Sequence, residues 1–180
     1  MKHIFVTIFF VTFASVFSIA QSKSDTIIWM PTYKLKWEDF QVITREFARN
    51  FAATSTCNIL YSYRKSANGY TFMTQAFFDK KKSIVRAGFE DADLLKHEQG
   101  HFDVAGLHSL KLLYVLRSRH YNADSVEQKT RKTRDSIALE MYRMQRLYDL
   151  ETLHGSKEAL QHLWSKKIDS ACKYYSRLLK

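Results

Sequence analysis

The sequence predicts an α+β domain, with a small antiparallel N-terminal sheet packed on three long helices. Three observations lead there. In the first half, apolar residues alternate with polar or small ones, the period of a half-buried strand. The turn signals Pro31 and Asn68-Gly69 also fall in that half. From Asp91 onward the apolar period lengthens to that of a helix.

The chain opens with Lys2 and His3, then an almost unbroken apolar run over residues 4–17. Ser18 and Ala20 place small residues at the −3 and −1 positions before Gln21. This is the pattern of a secretory signal peptide, so residues 1–20 are expected to be removed and 21–180 to form a single domain. The apolar run is short for a membrane span, and no later stretch is long and apolar enough to serve as one. A secreted or periplasmic protein without a transmembrane anchor is therefore expected.

Residues 26–30 and 33–37 are short β-prone runs on either side of Pro31, the only proline. Residues 51–64 are rich in small, β-branched and aromatic side chains, and Ile59, Tyr61 and Tyr63 alternate within them. Asn68-Gly69 signals a tight turn, and residues 70–78 read as the partner strand. Tyr70, Phe72, Thr74, Ala76 and Phe78 would then share one face. In the second half, Leu94, Leu95, Phe102, Ala105, Leu112, Leu113 and Leu116 form the stripe of a first long helix, with Asp91 and Asp93 in its first turn. Residues 122–125 break the chain. A second helix follows with Ile137, Met141, Met144 and Leu147 on its inner face. Gly155 is expected to cap it, and Ser156 to start a third helix that reaches the C-terminus.

The chain is strongly basic, with a formal net charge of +10 over 180 residues. The charge lies in short runs at residues 80–82, 131–134 and 166–167. Solvated faces commonly look this way, so no specific nucleic-acid partner is expected; steering towards acidic partners is the functional use of such charge. The two cysteines, Cys57 and Cys172, permit one pairing in an oxidising compartment. Cys57 sits among small and apolar residues, which favours a buried free thiol over a disulfide.

The residues that carry chemistry lie inside the first helix, in His97-Glu98-Gln99-Gly100-His101. Residues four apart project from one helix face, so both imidazoles can grip one metal ion. Zinc suits the arrangement because two neutral nitrogens leave room for a third ligand and an open position for water. Glu98 would take a proton from that water. The bland alternative is a pair of histidines with an incidental glutamate. Against it, these polar residues interrupt an apolar helix, where unpaired polar groups are costly. A third ligand is sought on the second helix, where Glu151 and His154 are three apart and share a face. From the residues alone, either could bind metal while the other contacts the oxyanion or holds a ligand.

The segment His97-Glu98-Gln99-Gly100-His101-Phe102-Asp103, preceded by Leu94-Leu95, resembles the core motif of a bacterial domain-of-unknown-function family described as predicted Zn-dependent proteases. Trp37-Glu38-Asp39-Phe40, Ala53-Thr54, and Glu151-Thr152-Leu153-His154-Gly155 followed by Gln161 and Trp164 extend the resemblance over most of the chain. It implies a zincin-like fold. The related aspzincin spacing, with an aspartate ligand three residues before a Tyr-Gly pair, is similar to Glu151 ahead of His154-Gly155. On that comparison the zinc ligands are His97, His101 and Glu151, and the catalytic residues are Glu98 and His154, with His154 as oxyanion stabiliser. Many members carry an acidic residue soon after the central motif, where this chain has Gly106. Helix geometry points that position away from the metal face. Asp103 also lies off that face and is expected to contact a loop.

These features lead to an exported zinc metallopeptidase acting on peptide or protein substrates. The contrasting expectation is a non-catalytic exported zinc-containing binding protein, whose basic surface holds anionic envelope components. Glu98 favours the enzyme, because a structural zinc site needs no base.

Overall fold

The computed structural model describes residues 24–44 and 51–180. The expected signal segment, residues 1–20, lies outside the described residues. The class is α+β, but with two small sheets where the sequence suggested one. The first is antiparallel, in the order β1-β5-β4, built from β1 (Thr26–Ile28), β4 (Cys57–Ser66) and β5 (Gly69–Asp79). The second is mixed. Its middle strand β6 (Ile84–Arg86) pairs in parallel with β2 (Gln41–Ile43) and antiparallel with β3 (Ala53–Thr54).

The long hairpin forms where the alternation placed it. Ile59 faces Ala76 and Tyr63 faces Phe72, so the inward residues of both strands share one side. Ser66 pairs with Gly69, so Ala67 and Asn68 make the turn and Gly69 opens β5 at φ 118. That left-handed angle is one glycine adopts without steric cost.

Two strand expectations need correction. Residues 33–37 form no strand, because their backbone is engaged elsewhere: the Leu35 N–H donates to Gln99 Oε1 at 2.8 Å, and the segment runs into a 3-10 turn at Trp37–Asp39. Residues 51–64 are not one strand but β3 and the start of β4. At the break, the Thr56 N–H donates to Ser83 Oγ and its carbonyl accepts from the Asp79 N–H. The chain thereby leaves one sheet for the other within two residues.

Three helices follow: α1 (Ala92–Arg117), α2 (Val126–Thr152) and α3 (Glu158–Leu178). Asp91 caps α1 by accepting the N–H groups of Asp93 and Leu94. From Val104 to Leu107 every α1 side chain is buried, as befits a helix enclosed on all sides. It lies between the antiparallel sheet and the pair α2 and α3. Phe102 packs with Phe40, Phe78 and Val85 on the sheet side, whereas Val104 and Leu107 pack with Tyr148, Trp164 and Ile168 on the helix side.

The inner face of α2 is rotated from expectation. Leu147 is exposed, and Tyr148 is fully buried in its place. The connection to α3 also differs. Leu153, His154 and Gly155 take three successive left-handed conformations, at φ 47, 51 and 85. Leu153 rather than Gly155 caps α2, and α3 starts after Lys157 with no side-chain cap from Ser156. Cys57 and Cys172 are free thiols in separate clusters, consistent with the expectation against a bridge.

Candidate metal centre

His97 and His101 stand one turn apart on α1 and both turn towards α2. Their Nε2 atoms are 3.2 Å apart. Asp149 Oδ1 completes the group, 3.1 Å from His97 Nε2 and 2.9 Å from His101 Nε2. A tetrahedral zinc ion with bonds of about 2.0–2.1 Å spaces its ligand atoms roughly 3.3 Å apart, so the three separations suit one small divalent ion. Two imidazoles and a carboxylate are also a donor set that zinc accepts readily.

The hydrogen bonds behind the rings determine which nitrogens face inward. The Tyr148 hydroxyl donates to the His97 carbonyl at 3.1 Å, and its oxygen accepts from Gln161 Nε2. Gln161 Oε1 is therefore turned to His97 Nδ1, 3.2 Å away, which must donate to it. Gln145 does the same for the second ring. Its Nε2 donates to the His101 carbonyl at 3.0 Å, leaving Oε1 to accept from His101 Nδ1. Both rings thus carry hydrogen on Nδ1 and present an Nε2 lone pair to the space beside Asp149. Two lone pairs and a carboxylate converging on one point call for a shared cation, either a proton or a metal ion.

The electrostatics run the same way. Burial opposes ionisation of Asp149, but when the shared cation is a proton on a histidine Nε2, the contacts with His101 and His97 outweigh burial and hold the carboxyl below the usual range. Burial also lowers the His101 pKa, yet the Asp149 bond and the Glu98 charge raise it on balance.

Glycines give the centre its close contacts. A Cβ on Gly100 would stand 2.1 Å from Tyr148 Oη, so the phenol reaches the His97 carbonyl only because position 100 has no side chain. The Tyr148 ring then stacks on His97, with centroids 4.7 Å apart and planes at 13°. A Cβ on Gly155 would lie 2.9 Å from His97 Cβ, so the loop after α2 closes directly over that histidine.

Glu98 is 2 % exposed, and its Oε2 is buried with no hydrogen-bond partner. It lines the cleft of about 700 Å³ that also exposes His97, His101, Asp149 and His154. An unpartnered buried carboxylate oxygen is expensive for a structural residue. The opposite wall is formed by Ala53, Thr54 and the residues leading into β4, with Ser55 Oγ donating to the Glu98 carbonyl at 3.4 Å. Cys57 lies on this wall, and burial together with the Glu98 charge pushes its thiol pKa up.

The structure does not bring Glu151, the third ligand expected from the sequence, to the two histidines. Glu151 is turned away from the histidines, and its Oε2 accepts the Trp164 indole N–H at 2.7 Å. The carboxylate beside the histidines belongs to Asp149. Two residues on a helix are separated by about 200° of rotation, so Asp149 and Glu151 occupy nearly opposite faces. The available signal was the set Gln145, Tyr148 and Asp149, polar groups three and four apart on one face of α2. His154 does reach the cleft mouth. Its ring Nδ1 is 3.6 Å from Asp149 Oδ1, its side chain is 76 % exposed, and its own N–H donates to the Asp149 carbonyl at 2.9 Å. A left-handed histidine at such a site is local strain of the kind that clusters at functional positions.

The rest of the motif serves α1 itself. Asp103 accepts from the Trp29 indole at 2.9 Å and from Gln99 at 3.0 Å, tying the loop after β1 to the helix. Gly106 lies against the Trp29 ring, where a Cβ would come within 2.0 Å. Position 106 thus receives an indole and faces away from the metal centre. Asp93 pairs with Lys96 in solvent, leaving Gln161 as the partner that orients His97.

No protein-family profile, curated protein or solved structure matches this chain at a significant level.

Proposed function

We propose that this chain is an exported zinc metallopeptidase in which His97, His101 and Asp149 hold the ion and Glu98 is the base. The observation that carries this reading is the joint placement of three converging donors and one buried, unpartnered carboxylate in the same cleft. A structural zinc site has no use for the carboxylate, and a general base has no use for the three donors without an ion.

Zinc, when bound, supplies Lewis acidity that polarises a carbonyl and lowers the pKa of water towards about 7. The remaining work belongs to the chain. Glu98 takes the proton of the attacking water and returns it to the leaving amine, acting as base and then acid. Gln161 and Gln145 hold the ligand rings in the tautomer that offers Nε2. His154, at the mouth, would donate to the oxygen that gains charge as the peptide carbon becomes tetrahedral. Glu151 has no part in the chemistry and instead anchors α2 to α3 through Trp164.

The binding-protein alternative draws less support. The basic run at residues 80–82 is matched locally, with Lys80 on Asp39, Lys81 on Asp25 and Lys82 on Asp79. The test is zinc analysis together with hydrolysis of an unbiased peptide library. The wild type should carry close to one zinc per chain and cleave peptides. Glu98→Gln should keep the zinc and lose roughly 10²–10⁴-fold in rate. Equal zinc content in wild type and the His97→Ala/His101→Ala double variant would end the metal assignment. An undiminished Glu98→Gln rate would end the role of Glu98.

A further inference from the structure

Three residues before Asp149 on α2 stands Arg146, whose exposed side chain also lines the cleft. It is the one lysine or arginine among the described lining residues. Some other cations of the described chain have partners: Lys111 pairs with Glu140, Arg134 with Asp135, and Lys173 with Asp169. Arg146 makes no ion pair, hydrogen bond or ring contact among the described residues.

The charge of the cleft points to what the guanidinium meets. Among the described lining residues the formal anions are Glu98 and Asp149; Asp149 belongs to the three-donor group, and the Glu98 charge acts on His101. With a divalent ion in place those two charges are balanced, and Arg146 leaves a net positive charge. The facing wall, from Ala53 to Asn58, carries no ionisable group except the Cys57 thiol. A substrate carboxylate there would be attracted by the guanidinium and would meet no competing anion among the described residues of that wall. Guanidinium also matches a carboxylate in two parallel N–H···O bonds, which gives orientation as well as attraction.

We propose that Arg146 is a specificity-determining residue that binds a substrate carboxylate, so that the cleft selects peptides with an acid group close to the bond attacked. The proposal rests on the metallopeptidase reading for the charge of the occupied centre. The carboxylate comes either from an acidic side chain or from a free C-terminus. Arg143, on the same helix, is exposed, has no ion-pair partner among the described residues and does not line the cleft, so it serves as the control.

The experiment uses the zinc-loaded protein and four matched fluorogenic peptide libraries. Two contain glutamate at randomised positions and two contain glutamine, each prepared as the free acid and as the C-terminal amide. Specificity constants are measured for wild type, Arg146→Ala, Arg146→Lys and Arg143→Ala. Binding of the same peptides to zinc-loaded Glu98→Gln, with and without Arg146→Ala, is followed by calorimetry. Wild type should prefer the acidic member by roughly tenfold or more, the scale of one charge-assisted contact. Arg146→Ala should abolish that preference, Arg146→Lys should keep part of it, and Arg143→Ala should leave it intact. A glutamate preference assigns the contact to a side chain, and a free-acid preference assigns it to a C-terminus. Hydrolysis without acidic preference, or a preference equal in Arg146→Ala and wild type, overturns the proposal while sparing the peptidase reading. Acid-selective binding that depends on Arg146, without hydrolysis by wild type, does the reverse. Absence of both acid-selective hydrolysis and acid-selective binding overturns it as well.

Discussion

Gln161, from α3, accepts the Nδ1 hydrogen of His97 across 3.2 Å, and through Tyr148 it also supports the carbonyl of the same residue. One histidine is thus held at its ring and its backbone by a single buried relay. Replacing Gln161 by leucine removes the acceptor while keeping similar bulk, and leaves the tautomer of His97 undetermined. Zinc affinity of Gln161→Leu should fall by roughly 10–100-fold, measured by competition with a chelator. Unchanged affinity would show that the relay does not tune the metal site.

Asp149 and Glu151 are two residues apart and should respond differently. Asp149→Asn removes the carboxylate that, alone among the described residues, approaches both His97 and His101, so zinc should be lost or bound far more weakly. Glu151→Gln should retain zinc and turnover. Its cost is the weakened bond to Trp164, about 1 kcal/mol of stability, readable in a denaturant titration. Zinc loss in the Glu151 variant with retention in the Asp149 variant would exchange the two roles.

Gly100 and Gly106 offer a comparison at the two faces of α1. Alanine at either position must displace a neighbour, Tyr148 in the first case and Trp29 in the second. Each should destabilise the fold by about 1–3 kcal/mol, as overpacking commonly does. Only Gly100→Ala should also weaken zinc, because only Tyr148 belongs to the relay that holds His97. Equal zinc affinity in both variants would detach the glycine from the site.

Cys57 and Cys172 should titrate as two free thiols in denaturant without reductant. Neither thiol ionises readily in the folded state. Burial raises both, with the Cys172 pKa pushed up to about 12. Thermal stability should accordingly be the same with and without dithiothreitol. A reductant-dependent fall in Tm would mean that a bridge forms.

The sequence by itself determined the features that repeat along one element. Period-two alternation carried the β4–β5 hairpin and its inward face, since successive strand side chains point to opposite sides whatever lies beyond. Helical periodicity carried α1, and the four-residue spacing of His97 and His101 put both rings on one face before any neighbour was known. What only the tertiary structure decided was every choice between elements. The residues after Pro31 are β-prone, yet Leu35 spends its N–H on Gln99 and no strand forms. The acidic partner for the two histidines could not be read from spacing. Asp149 and Glu151 are chemically equivalent carboxylates on α2, and the rotation of that helix against α1 decides which one arrives. That rotation is set by Tyr148, buried between α1 and α3 where the lack of a side chain at Gly100 admits it, and by Trp164, which draws Glu151 the other way. Local pattern therefore specifies which residues share a face; the packing of one helix on another specifies which face meets the two histidines.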